Sequence, residues 1–252
     1  GIPAKELGKT IYFAVYAKLA DGTYAYSKVS SYSVEKYAKT QLTSASTSAE
    51  MKALMVATLN YAAAAQVRFN YNADTLVNAS LTEADQALNI PYSADMITVA
   101  DKPEGAKLGD MVKTGNYKKF YPTVSFEGAF SINYYFQPTT APVGDITMYV
   151  WTQAAYNAAS SLSKNNASYA ITMVKQANGE YQGTIEGIAA KSLNDAVYVS
   201  FCYSDGTTSY CSGVNGYSIG QYCKSQAAKT GTMAELAKAT AVYGYYAKQR
   251  FG

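Results

Sequence analysis

Histidine is absent from all 252 residues. Serine triads, cysteine–histidine dyads and histidine metal sites each need an imidazole as base or ligand, so all three are excluded together. A phosphate loop is missing as well, because Gly105-Ala106-Lys107-Leu108-Gly109 is not followed by the Gly-Lys-Ser/Thr that would hold a nucleotide. Arginine occurs only at Arg68 and Arg250, the net charge is +3, and no basic run forms a patch, so no nucleic-acid partner is expected. The longest apolar stretches, residues 54–59 and 62–65, are far shorter than a membrane span. No charged segment followed by an apolar core opens the chain, so no signal peptide is visible. Carboxylates are few and mostly occupied. Asp21 and Asp205 sit in turns, Glu50, Glu83 and Glu235 in helix caps, and Asp101, Glu104 and Asp110 lack calcium-loop spacing. Glycoside hydrolysis, which needs two facing carboxylates, keeps only Glu127 and Glu186 as candidates. A non-catalytic protein without a cofactor or metal is the expectation.

What is present is a repeat. Residues 1–69 and 187–251 follow one pattern: Gly1-Ile2-Pro3-Ala4-Lys5 answers Gly187-Ile188-Ala189-Ala190-Lys191, and Ile11-Tyr12 answers Val197-Tyr198. Asp21-Gly22-Thr23 recurs as Asp205-Gly206-Thr207, and Tyr32, Tyr37, Met51, Leu54, Tyr61 and Phe69 recur as Tyr217, Tyr222, Met233, Leu236, Tyr243 and Phe251. Positions kept by both copies should hold a common scaffold, leaving unshared positions freer to carry function. Because the chain opens in mid-pattern, it reads as a piece of a longer protein.

Alternation of period two over 10–18, the Asp21-Gly22 turn and a return over 23–29 predict a hairpin. Helical spacing follows over 33–42 and 48–69, the latter opened by a Thr47/Glu50 capping box, and a short helix begins at Ser80/Glu83. Residues 92–115, with Pro103 and three glycines, form a connecting segment. From Phe120 onward about seven short strands, one hairpin turning at Asn178-Gly179, predict an immunoglobulin-like sandwich. Helices over 218–228 and 232–250 close the chain, the second with a Thr232/Glu235 box. The expected fold is α+β: an immunoglobulin-like β-sandwich followed by helices, duplicated as two related lobes. Its first lobe, 1–91, would have a truncated sandwich; 92–115 connects it to the second lobe, 116–252. The first lobe's missing strands lie upstream, or its hairpin packs elsewhere. Cys202 and Cys211 flank a hairpin turn and are able to pair, but three buried thiols fit the spacing equally well.

Tyrosine fills 25 positions, amid many small polar residues. The ten tyrosines shared by the copies, Tyr12/Tyr198, Tyr26/Tyr210, Tyr32/Tyr217, Tyr37/Tyr222 and Tyr61/Tyr243, are expected in the core, as is Tyr134. Tyr135 falls on the opposite strand face between Asn133 and Gln137, and Tyr149 and Trp151 share a face followed by Gln153 and Tyr156. A flat ring flanked by amides suits a neutral sugar, whose C–H face stacks while hydroxyls find donors and acceptors. Trp151, Tyr149, Tyr135 and Tyr156 are the predicted stacking platforms; Asn133, Gln137 and Gln153 are the predicted hydroxyl partners.

The run Gly1-Ile2-Pro3-Ala4-Lys5-Glu6-Leu7-Gly8, with Tyr24-Ala25-Tyr26-Ser27, the segment Tyr32 to Ala38 and Leu59 to Gln66, resembles modules of secreted, often dockerin-bearing proteins of ruminococcal gut bacteria. Within that group it is similar to the starch-binding modules of the amylosome. The resemblance implies an extracellular or cell-surface module that binds starch or maltooligosaccharides along a groove between two lobes. It also implies contact with a scaffold protein through regions outside this chain. The competing expectations are a structural or adhesive cell-surface repeat and a small glycosidase.

Overall fold

The computed structural model describes residues 2–115 and 117–252. Gly1, at the head of the repeat, and Asn116, at the head of the expected second lobe, lie outside the described residues. Four three-residue strands come first: β1 (Ile11–Phe13), β2 (Tyr16–Lys18), β3 (Tyr24–Tyr26) and β4 (Ser30–Tyr32). β1 pairs with β4 and β2 with β3, so the predicted hairpin forms, interrupted at Ala14-Val15. It meets the rest of the protein only near its base, where the Tyr32 ring lies 6.3 Å from that of Tyr37 among the described residues. Every residue from 9 to 32 is exposed. The expectation that all ten shared tyrosines fill the core therefore fails for Tyr12, Tyr26, Tyr32 and Tyr37, which are 72%, 70%, 41% and 39% exposed.

Helix α1 (Val34–Thr43) starts at Ser33, whose hydroxyl accepts from the Lys36 amide. Helix α2 (Ala49–Phe69) is capped by Ser48, which accepts from the Met51 amide; Thr47 instead donates its hydroxyl to Gln41, so the cap lies one residue later than predicted and the Thr47/Glu50 box does not form. Buried residues such as Leu54, Met55, Val56, Thr58 and Leu59 surround the axis of α2, the mark of a helix enclosed on all sides. Gln66, 2% exposed, accepts from the Val77 amide and donates to the Asn72 and Thr75 carbonyls, tying the following loop to the helix. The short α3 (Glu83–Gln86) is boxed by Thr82 and Asp85 rather than Ser80 and Glu83.

Two antiparallel sheets follow. The first, in order β5 (Tyr117–Ser125), β6 (Phe130–Pro138), β10 (Tyr181–Ile188), β9 (Val174–Lys175), faces the second across a shared core. The second has β11 (Val197–Ser204) beside β7 (Thr147–Thr152), with β8 (Tyr169–Thr172) outside β7. β12 (Ser209–Cys211) and β13 (Asn215–Tyr217) pair with β11. Phe136 stacks on Phe201 across the gap with ring centroids 4.9 Å apart, and Tyr134, fully buried as predicted, packs beside them. The architecture is mixed α+β with several antiparallel sheets, and no closed barrel forms among the described residues.

Helix α4 (Gln153–Ala158) covers the outer side of β7; α5 (Ile219–Ala227) and α6 (Thr232–Phe251) complete the chain. Gly231 caps α6 without a side-chain bond, so the Thr232/Glu235 box does not form and Glu235 pairs with Lys238. Tyr61 of α2 stacks on Tyr243 of α6 at 5.1 Å and also meets Phe130, joining the helices to the sheets. Cys202 and Cys211 face each other in register and form a disulfide. Cys223 stays free and buried, and desolvation pushes its thiol up to about 12.

Candidate functional site

The outer face of the first sheet brings three of the predicted residues together. Phe130, Ile132, Tyr134 and Phe136 of β6 turn inward, so Asn133, Tyr135 and Gln137 turn outward with the opposite parity. Pairing extends that face: Tyr121 and Gln182 lie opposite Tyr135, Thr123 and Thr184 opposite Asn133, and Lys119 opposite Gln137. The rings of Tyr121 and Tyr135 stack at 5.0 Å with 14° between their planes. Asn133 Oδ1 accepts from Thr184 Oγ1 at 2.9 Å and from Gln182 Nε2 at 3.4 Å. Gln137 lies beside the Asn178-Gly179 turn, where Gly179 holds the positive φ of 81° that the turn requires.

Glu180 anchors one end of this face. It is 1% exposed, accepts from Asn178 Nδ2 at 2.7 Å and the Tyr121 hydroxyl at 3.1 Å, and is ion-paired with Lys119. The Lys119 hydrogen bond holds its carboxyl below the ordinary value against the opposing pull of desolvation, and Asn178 and Tyr121 add to the lowering. Desolvation first, and the bond to Glu180 second, raise the Tyr121 phenol. These contacts fix the Tyr121 ring in place. The result is an offset-stacked aromatic pair, each ring covering part of one face of the other, both partly open to water and rimmed by amide and hydroxyl groups.

The other predicted residues lie elsewhere. Trp151 is fully buried and donates its indole N–H to Asn166 Oδ1 at 2.9 Å, so it is a core anchor and offers no ring face. Tyr156, 7% exposed, stacks on Tyr198 at 3.6 Å and is excluded for the same reason. Trp151 was expected outside because β7 alternates, and Tyr156 because it follows that strand; the 153–166 segment covers the Trp151 ring, and Tyr156 sits on α4. Tyr149 is half-buried on β7 with Lys164 Nζ 5.6 Å from its ring centroid. Gln153 is committed at both ends, accepting from the Ala196 amide and donating to Asn157. Of the two candidate acids, Glu127 is paired with Lys5 at 2.6 Å and Glu186 is exposed. Sequence reasoning missed Tyr121, Gln182 and Thr184, although extending the period of two along β5 from Phe120 places Tyr121 on the outer face.

A second concavity, of about 930 Å³, lies between α2, α6 and the segment before the sheets. Its amides are linked: Asn60 donates to Gln86 Oε1 and accepts from Asn78 Nδ2, each at 2.9 Å, with Tyr92 the one aromatic lining residue.

No known family matches the chain, and no curated protein matches it. A solved structure of a carbohydrate-binding module, the Br derivative of BhCBM56, is similar to part of it. The identity is 17%, the TM-score 0.28, and the alignment covers 42% of this chain and 99% of that one.

Proposed function

We propose that the protein binds neutral polysaccharide on the outer face of the β5-β6-β10-β9 sheet, without catalysing its cleavage. The observation that carries this reading is the stacked Tyr121–Tyr135 pair, held by Glu180 and flanked by Asn133, Gln137, Gln182 and Thr184 on one surface. A pyranose laid against the outward ring face and the edges of this stack gains dispersion and C–H contact, and its hydroxyls meet groups that both donate and accept. Two rings hold only a short stretch of sugar, so affinity is modest and rises with chain length until the face is filled. Starch-like α-1,4-glucan is the ligand we favour, on the resemblance of the repeat to amylosome modules, with an extracellular location. The Cys202–Cys211 disulfide supports that location, since such bonds persist in oxidising compartments.

Titration with maltooligosaccharides of increasing length, alongside cellulose- and xylan-derived oligomers, tests the reading. Tyr135→Ala is expected to weaken binding about tenfold or more, the loss of one aromatic contact of roughly 1.5 kcal/mol, with the thermal midpoint nearly unchanged. No binding to any α-glucan removes the starch assignment. If Tyr121→Ala and Tyr135→Ala leave affinity intact while Tyr92→Ala abolishes it, the ligand lies in the α2–α6 groove instead.

A further inference from the structure

The exposed hairpin at 11–32 repeats the pairing of a buried one. Ile11, Tyr12 and Phe13 face Tyr32, Ser31 and Ser30; their counterparts Val197, Tyr198 and Val199 face Tyr217, Gly216 and Asn215 in the same register. On its other edge β11 takes β7, from Val197↔Thr152 to Cys202↔Thr147. The matching edge of residues 11–18 carries no strand among the described residues. Its side chains are those of a core. Phe13 and Val15 are 50% and 67% exposed, where Val199 and Phe201 are fully buried. A bare edge bearing large apolar side chains is a template for another strand and marks an interaction surface.

A second vacancy adjoins it. A pocket of about 480 Å³ is lined by Tyr32, Tyr37, Met51, Leu54, Tyr243 and Phe251. Their sequence counterparts, Tyr217, Tyr222, Met233, Leu236, Tyr61 and Phe69, belong to the main core, where Phe126 and Phe130 pack among them. Phe130 lies 5.5 Å from Tyr61 and Phe126 5.8 Å from Tyr222, centroid to centroid. Between those two phenylalanines, Glu127 pairs with Lys5. The counterpart of Lys5 is Lys191, which donates to the Phe251 carbonyl at 2.7 Å and pairs with no carboxylate among the described residues. An unfilled strand edge, an unfilled aromatic pocket and a cation lacking its carboxylate all answer to one missing piece.

We infer that the 11–32 hairpin and its adjoining pocket receive a half-sandwich of the same kind as residues 117–186, one that lacks its own closing hairpin. Its central strand pairs with 11–18 as β7 pairs with β11, and its Phe-Glu-x-x-Phe turn seats two rings in the pocket with the acid against Lys191. The occupant is thus a β-sheet segment of this repeat type, added at an edge.

The test extends the full chain with a second copy of residues 117–186 placed ahead of Gly1, so that Glu186 precedes Gly1 as it precedes Gly187. Hydrogen exchange is followed by mass spectrometry with and without the extension. Amides of 11–32 are expected to exchange at least about tenfold more slowly in the extended chain. A Phe13→Lys/Val15→Lys double substitution should abolish that protection, while leaving the unextended protein's own stability unaltered because both side chains are exposed. Unchanged exchange over 11–32 in the extended chain overturns the inference, whether or not the added segment folds. So does protection of the hairpin in the unextended protein by self-association, which makes a second copy the occupant. Protection of 11–32 by maltoheptaose alone would assign the surface to sugar and equally overturn it. None of these outcomes depends on Tyr121 or Tyr135.

Discussion

Two hairpins of matching sequence lead opposite lives in this molecule. That at 197–217 is clamped between β7 and the helices, with Tyr198, Val199 and Phe201 sealed from water; that at 11–32 is exposed at every residue and touches the body only at its base, through Tyr32. Both turn at Asp-Gly-Thr, and both place the same partners opposite one another at the base. Toward the tip they part. Tyr16 faces Tyr26, whereas Cys202 faces Cys211, the counterpart of Ser27, a slip of one residue. Local turn chemistry and strand propensity thus determine that a ribbon forms, but burial and register at its tip come from what surrounds it.

Four measurements would sharpen or break that contrast. The largest effect is expected from Phe201→Ala, which empties a packed site against Phe136 and should cost about 3 to 5 kcal/mol in urea unfolding. Val15→Ala, at the corresponding exposed position, should stay within about 0.5 kcal/mol. Comparable losses at both sites would mean that the first hairpin is buried in solution. Next, a Cys202→Ser/Cys211→Ser protein should lose about 2.5 kcal/mol, the chain-entropy value for so short a loop, without altering hydrogen exchange over 11–32.

Gly216→Ser ranks third. A Cβ there would lie 2.6 Å from the Tyr198 ring, so overpacking of about 1 to 3 kcal/mol is expected, and the converse Ser31→Gly should show nothing comparable beside exposed Tyr12. The smallest effect lies at the turn tips. Asp205 accepts from the Thr208 and Thr207 amides, the Thr207 hydroxyl and the Tyr210 hydroxyl, and these bonds lower its carboxyl strongly. Asp21, accepting from the Thr23 hydroxyl and amide, is lowered too. A depressed folded value stabilises above the unfolded value, near 3.9, and that contribution disappears as pH falls through the folded value. Carboxyl chemical shifts should therefore show Asp21 protonating at a higher pH than Asp205; coincident titration would erase the difference between the tips.

The sequence disclosed elements more readily than environments. Asn178-Gly179, Asp21-Gly22 and the long helices were legible because turn chemistry and periodicity are local. The caps were placed within a residue or two: Ser48 beside Thr47, Thr82 beyond Ser80. Trp151 was misjudged because alternation on β7 suggests one wet face, whereas the 153–166 segment covers its ring; Tyr156, on α4 beyond that strand, is stacked on Tyr198. The mostly apolar run of β11, Val197 to Tyr203 with Ser200 as its one polar member, carried the warning, since strands buried on two sides lose their alternation. Asn133, Tyr135 and Gln137 were legible by parity alone. Glu180 was not, because its partners Lys119 and Tyr121 come from a strand some sixty residues away.

Cys223 has a bearing on how the chain oxidises. Three thiols permit three pairings, and the native one joins neighbours across a tight turn. Once α5 docks, the remaining sulfur is sealed away and held protonated, so it neither attacks the finished bond nor meets an oxidant. A pairing that uses Cys223 therefore requires α5 to be undocked, so the finished fold itself protects the Cys202–Cys211 crosslink from exchange within the chain.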